Sequence, residues 1–241
     1  MEIRVFEDAA RVGQATATLL AAQLIRRPQS VLGLATGSSP IPTYRHLVEL
    51  YKAGVIDFSQ AHTFNLDEYV GIPENHPCSY HAFMADNLFN FVNIRPDAHH
   101  VPNGNAADLE QEAQAYDASI SAAGGIDVQL LGIGHNGHIG FNEPADQFIY
   151  GCHAVSLSQS TIEANTRFFD SEEQVPRQAI SLGIGSIMNA RSVILIATGA
   201  DKAEAVRKSL REDVTPQVQA SILRTHPDVI FMLDKAAAAQ L

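Results

Sequence analysis

The chain has 241 residues, 46% of them hydrophobic, and its 27 Asp and Glu against 16 Lys and Arg give a formal net charge of −11. That length supports one substantial core, and a single domain over residues 1–241 is expected. The negative balance argues against nucleic acid or anionic membrane as a general partner, and an anionic ligand needs a local cluster of positive groups acting against the overall field.

In chain order, Ile3–Phe6 is a short apolar, β-rich segment. The chain shows no signal peptide and no apolar run of membrane-spanning length, so a cytoplasmic protein is expected. From Ala9 to Arg26, apolar residues recur at helical spacing (Val12, Ala15, Leu19, Ala22, Ile25) behind Asp8 as a cap. Val31–Ala35 predicts a buried strand ending in Thr36-Gly37-Ser38-Ser39-Pro40, and Thr43 to Lys52 predicts a helix. His62–Leu66 is a third strand ending at Asp67-Glu68, and Ser79–Phe91 and Ala107–Ala122 are helical. Ile126–Leu131 is an apolar strand. Phe148–Gln178 has no clear period and is a lid candidate, with an ordinary connection as the alternative. Arg191–Ala197 is a strand, Asp201 to about Leu210 a helix and Val229–Leu233 a last strand, while Ala236-Ala237-Ala238-Ala239 is a short helix or a frayed end. The repeated strand–loop–helix order predicts an α/β fold, a mostly parallel twisted sheet with helices on both faces.

The densest chemistry follows the strand at Ile126–Leu131. Within Gly132-Ile133-Gly134-His135-Asn136-Gly137-His138-Ile139-Gly140-Phe141-Asn142-Glu143-Pro144 stand four glycines, two histidines and a glutamate. Glycines at a strand's carboxyl end let backbone approach a ligand, and open α/β sheets bind ligands at that edge. His138 and Glu143, five apart, are a candidate acid–base pair: a carboxylate on one ring nitrogen fixes the tautomer and leaves the other free to exchange protons. A metal pair of His135 with His138 is disfavoured, because no third ligand has matching spacing. His99-His100 reads as surface. The turn Thr36–Pro40 leaves N–H groups, two serine hydroxyls and a helix start together, which suits a phosphate; a simple βα turn is the alternative. It is neither a Walker sequence nor a dinucleotide fingerprint. Asp67 is a candidate general base, or else a cap or turn residue. Arg167 and Lys202 are candidate counter-charges for the phosphate, or solvated surface residues. Cys78 and Cys152 match no metal or redox spacing and read as free, buried thiols.

Taken together, Leu34–Pro40, Phe64-Asn65-Leu66-Asp67-Glu68-Tyr69, Ser79-Tyr80, Gly132–Pro144, Asn165-Thr166-Arg167-Phe168-Phe169 and Lys202 occur in an order that resembles the glucosamine-6-phosphate deaminase family over nearly the whole chain. The long glycine–histidine motif carries most of that specificity. The resemblance implies a Rossmann-like fold akin to ribose-phosphate isomerases. It also implies conversion of glucosamine 6-phosphate to fructose 6-phosphate and ammonia in N-acetylglucosamine catabolism, with no metal or organic cofactor. By the same resemblance His138 serves ring opening, Glu143 holds its imidazole and Asp67 removes the C2 proton. Thr36, Gly37, Gly132 and Gly134 line the substrate, while Ser38, Ser39, Arg167 and Lys202 hold its phosphate.

Two departures matter. Many relatives have aspartate where this chain has Asn136; the amide can accept a hydrogen bond from the imidazole but cannot neutralise it, so Glu143 carries more of that role. Larger relatives are hexamers activated by N-acetylglucosamine 6-phosphate through basic residues after the Glu-Pro motif. The segment Asp146–Val155 lacks these, which predicts a monomer or small homo-oligomer without an allosteric activator. The rivals are 6-phosphogluconolactonase, more distantly a ribose-phosphate isomerase, and a sugar-phosphate sensor. The last lacks room for a DNA-reading domain.

Overall fold

A computed structural model describes residues 1–241. The elements run β1 (Glu2–Phe6), α1 (Ala9–Arg26), β2 (Val31–Leu34), α2 (Ile41–Lys52), β3 (His62–Asn65), β4 (Asp67–Tyr69), α3 (Tyr80–Asn87), β5 (His99–His100), α4 (Leu109–Ala122), β6 (Val128–Leu131), β7 (His153–Ser156), α5 (Gln159–Asn165), β8 (Gln178–Ser181), α6 (Ile184–Met188), β9 (Ser192–Ala197), α7 (Ala203–Arg211) and β10 (Val229–Asp234). Asp8 caps α1 by accepting from the Arg11 N–H at 2.8 Å. No helix is long and apolar enough to cross a membrane.

Seven strands form a parallel sheet in the order β1-β10-β9-β6-β2-β3-β5. Its central strands read almost wholly apolar because helices cover both faces. From β2 the chain builds outward through β3 to β5; from β6 it builds the other way through β9 to β10. The direction of winding therefore reverses between β2 and β6, and a crevice opens beyond their carboxyl ends.

The sequence reading misses a second sheet, antiparallel and three-stranded, in the order β4-β8-β7. Leu66 is the pivot between the two. Its N–H donates to the Leu34 carbonyl at 3.0 Å in the large sheet, and its carbonyl accepts from the Leu182 N–H at 2.8 Å. Asp67 therefore opens a new strand, paired with Ser181, instead of closing β3. A separate apolar cluster of Tyr69, Phe141, Leu157, Ile162, Val175 and Ala179 fills the space under this small sheet. Part of the irregular stretch Phe148–Gln178 thus becomes β7 and α5, each too short to show a period.

Other expectations shift locally. The helix expected over Ser79–Phe91 stops at Asn87, and Phe89–Phe91 forms a 3-10 turn. The late helix starts at Ala203 behind a 3-10 turn over Ala200–Lys202. The alanine tail is neither helical nor frayed: Ala237 is fully buried, and its N–H donates to the Asp234 carboxylate at 2.7 Å. Cys78 and Cys152 are half-buried rather than buried, and neither forms a disulfide. His99 and His100 are half-buried on the edge strand β5, stacked on Phe89 and Phe64, not free surface residues.

Candidate active site

A cavity of about 270 Å³ lies at the carboxyl edge of the large sheet. It brings together Thr36, Gly37, Ser38 and Ser39 after β2, Asp67 of β4, Gly132, Gly134, Asn136 and His138 after β6, and Arg167 after α5. Two sheets and three crossovers thus deliver side chains that are up to 131 positions apart in sequence (Thr36 to Arg167) to one small volume.

One end is built for an anion. Gly37 turns the backbone through the left-handed region (φ +92°), where only glycine is unstrained. Pro40 then opens α2 without any side-chain cap, and Pro42 sits in its first turn. The N–H groups of a helix start that no side chain fills, with the helix dipole behind them, favour a negative group. Tyr44 Oη pins this turn by donating to the Ala35 carbonyl at 2.5 Å. Across the cavity Arg167 is exposed, its guanidinium 4.7 Å from the Phe168 ring centroid and without a carboxylate partner. Lys202 is not on the cavity wall. It joins the wall indirectly: its Nζ is 3.9 Å from Asp201, whose carboxylate in turn bonds His135 Nε2 at 2.7 Å. Burial and the nearby Arg167 charge push the Lys202 ammonium down, against the pull of Asp201. His135 is thereby engaged away from His138, and no three His, Cys, Asp or Glu side chains are arranged to hold a metal ion.

At the other end, Asp67 is 6% exposed. Burial and, second, the charge of Glu68 push its carboxyl up to about 8. Alternation along β4 separates these two acids. Glu68 accepts from the N–H groups of Tyr69, Tyr80 and His81 at 2.8–3.0 Å and meets His81 Nδ1 at 2.9 Å. With the Ser79 hydroxyl, which accepts from the Ala82 N–H at 3.0 Å, it closes the start of α3. That role carries no local sequence signal, because the helix begins twelve residues later.

The glycine-rich turn closes with the Gly134 N–H donating to the His138 carbonyl at 2.9 Å. The imidazole lies directly on Gly134: a Cβ there would sit 2.3 Å from the ring, so no other residue fits. His138 Nδ1 faces Glu143 Oε2 at 3.5 Å and has no hydrogen-bond partner. Glu143 Oε2 accepts instead from Asn136 Nδ2 at 2.7 Å, and its Oε1 accepts from Thr161 Oγ1 at 2.5 Å. Burial works to raise this carboxyl, but the His138 imidazole and the Thr161 and Asn136 donors together outweigh it and hold it at about 2.

Asn136 does not accept from the imidazole, contrary to the sequence expectation. Its Oδ1 takes the backbone N–H of His138 at 3.1 Å, and its amide N–H goes to Glu143. A carboxylate has no proton to give and a backbone N–H cannot accept, so the amide can point only this way. Sequence reasoning also passes over Thr161, which is buried and lines the cavity. Nothing in its local pattern distinguishes it from any threonine near a helix start.

Residues 7–231 match the family described as glucosamine-6-phosphate isomerases/6-phosphogluconolactonase. The chain is 51% identical to a glucosamine-6-phosphate deaminase of Clostridioides difficile (strain 630) over 241 residues, all of this chain and 97% of that one. It is 48% identical to a glucosamine-6-phosphate deaminase of Thermoanaerobacter pseudethanolicus (strain ATCC 33223 / 39E), over 99% of this chain and 94% of the relative. Among solved structures, that of a monomeric glucosamine-6-phosphate deaminase superimposes with a TM-score of 0.98 at 40% identity, with both chains covered in full.

Proposed function

This chain belongs to the family of glucosamine-6-phosphate isomerases and 6-phosphogluconolactonases and is a glucosamine-6-phosphate deaminase, and from that premise we propose that Asp67 is its enolising base and His138, oriented by Glu143, its ring-opening group. The observation that carries this reading is the sharing of one cavity by a buried carboxylate that makes no hydrogen bond and an imidazole backed by a carboxylate kept ionised.

In this reading the phosphate sits on the turn Gly37-Ser38-Ser39 and the start of α2, with Arg167 closing from the other wall and Lys202 adding charge from behind. Anchoring the remote phosphate spends its binding energy on orienting C1 and C2. His138 Nε2 takes the proton of the anomeric hydroxyl and delivers one to the ring oxygen; the C1–O5 bond breaks and an aldehyde forms. Glu143 carries no proton and stabilises the transient imidazolium through Nδ1. The aldehyde acidifies C2–H, and Asp67 removes that proton while O1 takes one from the C2 ammonium, leaving a neutral enolamine. The same carboxyl returns it to C1, giving a ketimine at C2. Water adds to C2 and ammonia leaves, which completes fructose 6-phosphate. A carboxylate weakly stabilised by its surroundings is a stronger base, and an ammonium at C2 of the incoming sugar draws Asp67 back to its ionised form.

A lactonase would need no base at C2, so the isolated, buried Asp67 favours the deaminase. The same reading takes the enzyme as a monomer without an activator site, consistent with the absence of Lys and Arg from Asp146–Val155. Incubation with glucosamine 6-phosphate is expected to release ammonia along a hyperbolic saturation curve that N-acetylglucosamine 6-phosphate leaves unchanged. Hydrolysis of 6-phosphogluconolactone without ammonia release from the amino sugar would overturn the assignment.

A further inference from the structure

Thr161 and Arg167 stand on one continuous helical stretch along the cavity. The Ser158 hydroxyl opens α5, accepting from the Thr161 N–H at 3.3 Å and donating to Thr161 Oγ1 at 3.1 Å. α5 then passes without a break into the 3-10 turn Thr166–Phe168. At a helical rise of about 1.5 Å per residue, Thr161 and Arg167 lie about 9 Å apart along the axis, the length scale of a hexose phosphate. One end of this stretch touches the Glu143 carboxylate and the other sets the Arg167 guanidinium on the cavity wall.

The Thr161–Glu143 bond has a defined direction. Ser158 already donates to Thr161 Oγ1, so the threonine's own proton is free for Glu143 Oε1 at 2.5 Å. Glu143 is thereby held between Thr161 and Asn136, with Oε2 at 3.5 Å from His138 Nδ1. That separation exceeds the usual N–H···O range of about 2.7–3.2 Å. Enclosed Nδ1 has no other partner, so a small shift of Glu143 completes the pair without displacing any bond made by that nitrogen.

We propose that Thr161 is a positioning residue: phosphate seated on Arg167 sets α5, and Thr161 carries Glu143 into hydrogen-bond contact with His138, so that ring opening is coupled to phosphate recognition. The proposal rests on the deaminase reading above and adds a residue and a coupling to it. It predicts that ring opening depends on a hydroxyl donor at position 161, whereas a purely structural threonine would depend only on its volume. Losing a hydrogen bond to a charged acceptor in the transition state corresponds to a rate factor of about 10 to 100.

The test compares Thr161→Val, which keeps the volume and removes the donor, with Thr161→Ser, which keeps the donor. The valine variant is expected to lose kcat by about 10- to 100-fold with KM within about 2-fold, and its acidic limb is expected to move to higher pH because Glu143 has lost a donor. The serine variant is expected to recover most of the rate. Introducing Arg167→Ala into both backgrounds tests the coupling: the valine substitution should then cost much less in kcat than it does alone, and fully additive losses would overturn transmission through α5. Should the valine variant not fold, Thr161→Ala takes its place with the same readouts. If wild type releases ammonia while the valine variant keeps wild-type kcat and pH profile, this inference fails and the deaminase reading stands. If wild type releases none, the underlying reading fails instead.

Discussion

Two carboxylates, Asp67 on the cavity wall and Glu143 behind the His138 imidazole, have opposite properties. Asp67 makes no hydrogen bond, stands beside the charge of Glu68 and is pushed up to about 8. Glu143 is also enclosed, yet the His138 imidazole and the donors from Thr161 and Asn136 hold it at about 2. Burial raises both, and Asp67 is the more deeply buried of the two. The difference comes from surroundings: burial and the Glu68 charge act unopposed on Asp67, whereas the His138 imidazole and the Thr161 and Asn136 donors stabilise the charge on Glu143. Environments that separate two titratable groups in this way fit the division of labour proposed here, with Asp67 as base and Glu143 as counter-charge.

Removing the Asp67 carboxylate is the largest way to break this contrast. Asp67→Asn is expected to lower turnover by about 10³-fold while sugar-phosphate binding survives. Loss of binding alone in an equilibrium titration would give the side chain a structural role instead. The same variant has a stability signature. In the folded protein Asp67 keeps its proton up to about 8, whereas its ordinary carboxyl value is 3.8. Between those values the folded state binds the extra proton, so this group's contribution to stability is present below about 4 and is lost as pH rises through 8. The melting temperature of Asp67→Asn relative to wild type should therefore rise steadily from pH 5 to pH 8.

Glu143→Gln comes next, with an expected loss of about 10²-fold in kcat. Its stability sign is the reverse. Glu143 is depressed from 4.5 to about 2, so its contribution is present above 4.5 and disappears as pH falls toward 2. Acid melts of wild type and Glu143→Gln should converge below that window. Melts that stay parallel through it would remove the claimed difference between the two carboxylates.

Asn136→Asp sharpens the comparison most gently. It replaces a donor on Glu143 with a second negative charge beside His138, which favours the imidazolium. The acidic limb of the rate profile should move to higher pH, and an unmoved limb would show that position 136 does not act on ring opening.

The parts legible in the linear chain are those whose reason is local. Gly134 must be glycine because the imidazole of His138, four residues on, rests against it. The turn Thr36–Pro40 reads as a phosphate site or a simple βα turn, because its N–H groups, two serine hydroxyls and a helix start stand within five residues. Other features were hidden because their partners are remote. Glu68 closes a helix that starts twelve residues later, and Thr161 meets a carboxylate 18 positions away. The partners of the Asn136 amide, the Glu143 carboxylate and the His138 backbone N–H, depend on which neighbours can accept and which can donate. Lys202 was placed correctly at a helix start after a late strand, but its separation from the cavity wall by Asp201 and His135 is a matter of packing.

By itself, then, the sequence determined the alternation of strand and helix, the parallel sheet and the candidates for the reacting residues. Apolar runs, turn glycines and clustered acid–base side chains impose their preferences within a few residues. The tertiary structure alone decided the small antiparallel sheet, the bond between Thr161 and Glu143, and the opposite shifts of the Asp67 and Glu143 carboxyls. Each depends on which groups burial brings within a hydrogen bond of one another, and that is a property of three-dimensional contact rather than of order along the chain.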